Sequence, residues 1–447
     1  MRLPSGRLAS AVFCVITSLV IYAIYLCLSW ASLGVNQQRL EFHARQAFAG
    51  GELLNMDKAH YNILFGAHQF NDCLIIDQAL SRFGTPLQRT VTPSNGFPDR
   101  HLETCPQLRQ SLNGAGVSGP GGFYHNYVHG HTVLARVLLS IAPLRVVREG
   151  NRLAITILLL AGCYLCCRNM LMRGASAENL FWLVFFIAFA RWFGLELLAP
   201  SLGHAPADFV FFAYGLALAA MSFRRCANLR AYMLVATIFG ALTAIFEFLT
   251  GGIPLGLALT IGGVAVATPD DDRVAESTAG AAIAFLLAVA TVAAAKIVSV
   301  LVVFGSGALG PSTGDLLHRM SGSVQGPEAP PITFAAIMER MIDGWETMTP
   351  GLWLLSFGAI CFGIVLGAFA LGKMWHGEKR LRTLLIAGSN CVLILWVVVF
   401  WQHFYVHAWF MMRIFAWTIA SGAGLFAMAL HDAGSRRSLP NMQGAAA

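Results

Sequence analysis

The sequence predicts an all-α polytopic membrane protein, one integral membrane domain over 1–447 with about ten transmembrane helices and both termini in the cytoplasm. Three observations carry this. Hydrophobic residues make up 56% of the chain and charged residues only 12%, about half the share usual in a soluble domain. Apolar runs long enough for a hydrocarbon core of about 30 Å recur along it. Basic residues collect in four of the five inward turns or tails after the first run, the positive-inside pattern. The net charge of +7 therefore reads as a topology signal, and nucleic acid is not an expected partner.

Arg2 and Arg7 precede the first run, 8–33. It exceeds the apolar region of about 7–15 residues in a secretory signal and reads as an uncleaved anchor. The second run, 144–167, returns to Arg168 and Arg173. Runs 179–198 and 208–223 follow, ending at Arg224, Arg225 and Arg230, then 231–249 and 253–267. The inward loop 269–277 is acidic (Asp270, Asp271, Asp272, Glu276), but acidic residues weigh little in orientation. Run 278–304 leads out, and 352–371 returns to Lys373, Lys379, Arg380 and Arg382. Runs 383–400 and 409–430 close the series, with Arg436 and Arg437 in the tail. Inner (plasma) membrane, multi-pass, is the expected location.

Two segments are placed outside, 34–143 and 305–350. Within the first, 131–141 carries Val133, Leu134, Val137, Leu138 and Ile141 on one helical face with Arg136 opposite, and reads as an interfacial helix. Residues 74–80 read as a second such element. The stretch 85–122 is dense in Pro and Gly and reads as irregular loop. The second segment holds one amphipathic stretch, 332–342. No internal repeat is visible, which disfavours a transporter of inverted halves. Cys73 and Cys105 are the cysteines clearly outside the apolar runs, and are expected to pair.

Chemistry-bearing residues lie on one side. Of 13 histidines, His376 and His431 alone fall in inward segments. Arg191, Glu196, Glu247, Lys296 and Arg413 all sit in the outward parts of their runs. A charge at a helix centre costs about 2.5–3.5 kcal/mol on insertion scales, so such residues usually face a polar cavity or pair with one another. Lys296 and Arg413 read as anion ligands, Arg191 and Glu196 equally as structural pairs. Asp72 stands just before Leu74-Ile75-Ile76, where a carboxylate serves either as general base toward an acceptor hydroxyl or as a helix N-cap. His125, His129 and His131 lack an acidic co-ligand at suitable spacing, and catalytic zinc takes about three protein ligands. No metal or other cofactor is expected. Hydrogen bonding of a phosphate or sugar by His129 with Arg136 suits them better, and the same holds for His403 and His407 with Arg413.

One helix, a long external segment with an acidic residue near interfacial helices, then many more helices: this order resembles the GT-C class of membrane glycosyltransferases. The segment Tyr127-Val128-His129-Gly130, followed by Arg136 and Leu138-Leu139, is also similar to a Tyr-Trp-His-Gly pattern in bacterial polytopic proteins, with Val128 in place of Trp. The GT-C resemblance implies a polyprenyl-phosphate-linked sugar as donor and a glycan, lipid or protein as acceptor at the external face. It assigns Asp72 as the catalytic acid of the first loop, although paired acidic motifs are absent there. Membrane lipids are the other expected partners. A lipid-linked saccharide transporter or flippase, or a membrane acyltransferase, is the alternative.

Overall fold

The computed structural model describes residues 5–57, 68–95, 103–114, 122–224, 228–247, 250–322, 331–348, 351–374 and 379–438. Arg225 and His376 lie outside these residues, as do stretches of both external segments. Among the described residues the chain is all-α apart from one antiparallel pair, β1 (Ser94–Asn95) with β2 (Gly122–Phe123). Eight helical segments among them are long and apolar enough to cross a membrane.

α1 (Ser5–Ser32) leads to a unit of α2 (Gln37–Ala49), α3 (His68–Leu80), α4 (Pro86–Val91), α5 (Thr104–Leu112) and α6 (Gly130–Ile141), within the segment expected outside. The unit has its own core, including Leu40, Ile75, Ile76, Leu108 and Leu139. Cys73 and Cys105 are disulfide-bonded inside it, as the sequence leads one to expect. The 85–122 stretch departs from expectation, since its described parts hold α4 and α5. Thr85 begins α4 with a capping box: its hydroxyl accepts from Gln88 N at 3.2 Å and Gln88 Oε1 accepts from Thr85 N at 2.9 Å. α6 is amphipathic with the expected polarity, but its Arg136 side is packed inside the protein. Leu134, Val137 and Ile141 form the outward face, which suits contact with a bilayer surface.

α7 (Leu144–Arg173), α8 (Ala177–Trp192), the short α9 (Leu195–Leu198), α10 (Ala205–Arg224), α11 (Leu229–Phe246), α12 (Gly252–Ala267) and α13 (Asp271–Phe304) follow. The expected run 179–198 is broken where Gly194 takes a left-handed conformation (φ 71°). α13 starts earlier than expected because Asp271 and Asp272 lie in its first turn, where carboxylates suit the helix dipole. α8 and α12 have 16 residues each, about 24 Å of helix. Both are buried in the bundle. α8 contributes the fully buried Phe181, Trp182, Phe185, Phe186 and Phe189, while α12 uses Gly262 and Gly263 to admit Trp417, Leu218 and Trp182.

The second external segment holds two described helices, α14 (Leu309–Arg319) and α15 (Phe334–Met348), where one amphipathic stretch is expected. α16 (Trp353–Met374) comes next. α17 (Arg380–Gly388) and α18 (Asn390–Val399) divide the 383–400 run at Ser389. A short α19 (Trp401–Val406) precedes the last run, which is likewise subdivided, into α20 (Ala408–Met411), a 3-10 turn and α21 (Ala416–Ser438).

Candidate functional site

Asp72 is fully buried on α3, and four donors surround its carboxylate. Oδ2 accepts from Arg148 Nη2 at 2.6 Å and Nε at 3.0 Å; Oδ1 accepts from Leu202 N at 2.7 Å and Ser201 Oγ at 3.1 Å. An ionised carboxylate has about four lone-pair sites, and all are engaged. This geometry favours the structural role over that of a base toward an acceptor hydroxyl. Asp72 is a clasp joining the α2–α6 unit to α7 and to the segment after α9.

Arg136 is also structural. It is 2% exposed and donates to Gln78 O at 3.2 Å and Ser32 Oγ at 3.4 Å, tying α6 to α3 and α1. Burial lowers its pKa to about 10, so it stays charged at neutral pH. His129 is the non-glycine residue with positive φ (66°) among the described residues, and its Nε2 lies 2.7 Å from Tyr124 O. This bend sets Gly130 against α11, where a Cβ would stand 2.5 Å from Ile245. Burial, with His131 adding to it, pushes the His129 pKa well below the usual value. A neutral, enclosed imidazole is a poor phosphate ligand.

Arg413 is 1% exposed and already holds an anion. Its Nη1 lies 2.7 Å from Asp208 Oδ1, Nη2 donates to Thr250 Oγ1 at 2.9 Å, and the guanidinium sits 5.0 Å above Phe193. Thr250 passes the network to Glu247, whose Oε1 also accepts from Gly252 N at 3.0 Å. Gly252 is required there, because a Cβ would collide with Glu247 Oε2. His403 and His407 meet with ring centroids 4.6 Å apart on and beside α19. His403 Nδ1 accepts from Arg319 Nη1 at 3.2 Å, and burial with its neighbours His403 and Arg319 keeps His407 neutral. Among the described residues no group of three or more His, Cys, Asp and Glu is arranged to hold a metal.

Lys296 differs from these. It is 4% exposed on α13, and its Nζ donates to Val91 O at 2.6 Å and Thr92 Oγ1 at 2.7 Å. Both acceptors are neutral, and no carboxylate among the described residues lies within ion-pair distance. Thr92 also lies 3.3 Å from His125 Nδ1. Partial burial and then the Lys296 charge lower the His125 pKa to about 4. Lys296, His125, Asn126, Glu247 and Arg319 line one cavity of about 360 Å³. Its remaining walls are mostly apolar, with Ile253 of α12, Val289, Ile297 and Val300 of α13, and Leu309 and Leu316 of α14 beside the hydroxyls of Tyr127, Ser312 and Thr313. Ile297 and Leu316 are 48% and 44% exposed, so the apolar side opens at the bundle surface.

Lys296 is thus the sequence-singled residue that heads a cavity, and Glu247 joins it. Arg319 was not legible as a site residue, since its helix reads as part of a loop; its spacing from Leu316 and Leu317 was the available signal. Two other cavities are polar. One of about 630 Å³ lies beside Arg173, Glu178 and Asp270, and one of about 380 Å³ is lined by Arg145, Arg148 and Arg152 together with Glu52, Glu149 and Glu196. Comparison with protein-family models, curated proteins and solved structures found no match.

Proposed function

We propose that the chain is a membrane glycosyltransferase that takes a sugar from a polyprenyl-phosphate donor and passes it to an acceptor at the external face of the plasma membrane. In this reading α8 and α12 also cross, giving ten crossings with both termini inside. The hairpin of α11 and α12 supports this. Its two ends are tied at Glu247 to Gly252 and, a helix length away, at Tyr232 Oη to Ala267 O, 2.8 Å.

The observation that carries the reading is Lys296, a buried amine with neutral partners at the head of a mostly apolar cavity. Burying a charge without a counter-charge is costly. An amphiphile whose anionic head meets Lys296 and whose hydrocarbon tail lies along α13 and α14 relieves both the bare charge and the exposed apolar wall. Glu247 takes the role first expected of Asp72. Glu247 lines the cavity, and its Oε2 accepts from Thr250 Oγ1 at 3.2 Å. In the transfer, Glu247 accepts the proton of the acceptor hydroxyl as its oxygen bonds to the sugar's anomeric carbon. The bond from that carbon to the phosphate oxygen breaks, and polyprenyl phosphate leaves with one more negative charge. A base in this position contributes about 10²–10⁴-fold.

Binding of undecaprenyl phosphate to purified protein, read by native mass spectrometry, tests the reading. Lys296→Met should weaken it at least about tenfold, the scale of a charge-assisted hydrogen bond of roughly 1.5 kcal/mol or more. Equal binding by wild type and Lys296→Met, with both folded, would sink it.

A further inference from the structure

The same cavity is lined by a second basic residue, Arg319. Arg319 closes α14, and its hydrogen-bond and ring partners are neutral: the Tyr124 side chain, His403 Nδ1 at 3.2 Å, and the face of Tyr127 at 5.8 Å. Asp315, one turn earlier on α14, accepts from Asn126 Nδ2 at 2.9 Å and acts on Arg319 through its charge from beyond ion-pair distance. No carboxylate among the described residues stands within ion-pair distance of Arg319. The two cations differ in how they are mounted. Lys296 is buried within the bundle, whereas no residue of α14 is buried, so Arg319 reaches the cavity from an element resting on its outside.

We infer that the cavity is built for a lipid carrying two negative charges on one phosphate, and that Arg319 is the residue that reads the second. This rests on the proposed function. A sugar joined to a polyprenyl phosphate is a phosphodiester with one charge; the lipid released is a phosphate monoester with nearly two at pH 8, since its second pKa lies near 6. Lys296 meets the charge common to both. Arg319 meets the charge that appears as the sugar leaves, where a donor stabilises the developing product rather than the bound donor lipid. Arginine suits this because its planar fork presents two N–H groups to two phosphate oxygens.

The test needs neither sugar nor acceptor. Geranylgeranyl phosphate and its methyl phosphodiester share one tail and differ by one charge. Affinities of both for the full-length protein are measured at pH 8 in one detergent. Wild type should hold the monoester about 10- to 100-fold tighter, the range expected of one hydrogen-bonded charge. Arg319→Gln should bring the monoester down to the diester affinity and leave the diester unchanged. Arg319→Lys should keep part of the difference, and serves if the Gln variant does not fold. Lys296→Met should weaken both lipids. Equal wild-type affinity for the two lipids would overturn the Arg319 assignment while leaving the donor site standing, as would an Arg319→Gln variant that weakens both alike. Failure of wild type to bind either lipid would overturn the proposed function itself.

Discussion

Asp72→Asn separates the two roles open to this residue. In the wild type, the carboxylate takes two bonds from Arg148, one from Leu202 N and one from Ser201 Oγ. Asparagine has one acceptor oxygen, so whichever way its amide is turned, an NH₂ group confronts donors. Removing one member of a buried ion pair costs about 3–5 kcal/mol. The Arg148 side chain is 14% exposed and can recover some hydration, so the lower end applies, about 3 kcal/mol. Opening of the α2–α6 unit should then rise about 10²-fold at constant temperature. Limited proteolysis under native conditions, scored at cleavage sites between α3 and α6, measures that opening. The double variant Asp72→Leu, Arg148→Met removes the stranded charge and should recover most of the loss. An Asp72→Asn protein as protease-resistant as wild type but unable to transfer sugar would refute the clasp and reinstate the base.

The disulfide should protect Cys73 and Cys105 from alkylation until a reductant is added; its loss should cost about 4 kcal/mol for a loop of 32 residues, read as a lower unfolding midpoint. Gly130→Ala should destabilise by about 1–3 kcal/mol, because the new methyl meets Ile245 and Phe246 and a densely packed site has no room to yield; thermal unfolding reports it. Acidification should destabilise through the histidines. The folded pKa of His125 is depressed to about 4 from an ordinary value near 6.5, so the unfolded chain binds the extra proton first. That contribution is full above about pH 6.5 and lost as pH falls toward 4, and His129, His131 and His407 act in the same direction. A melting temperature independent of pH across that window would contradict the neutral burial of these rings.

How far the sequence could be read depends on the range of the forces involved. Apolar runs announce the membrane helices because hydrophobic burial is summed locally along each run. Their breaks at Gly194 and Ser389 carry weaker signals, a lone glycine and a lone serine among apolar residues, and were passed over. α4 was readable in principle, since Thr85-Pro86-Leu87-Gln88 spells a capping box, but the surrounding Pro and Gly content masked it. α14 was hidden because its apolar side faces a cavity and its Gly content resembles a loop.

Charges behave differently, because what decides their role is a partner far away in the chain. Asp72 finds Ser201 and Leu202 about 130 residues on, and Arg413 finds Asp208 about 205 residues back. Lys296 finds Val91 and Thr92 at a similar separation. Read along the sequence, all three are isolated charges in apolar surroundings, and each looks equally fit to hold a ligand. Folding removes the ambiguity by a simple balance: Asp72 and Arg413 acquire an opposite charge at 2.6–2.7 Å, while Lys296 acquires a carbonyl and a hydroxyl. The charge left over after the chain has paired its own is the one that calls for a partner from outside. Lys296 and Arg319 are basic groups with no ion pair among the described residues, they share one cavity, and its walls are mostly apolar on the side where a lipid tail would enter.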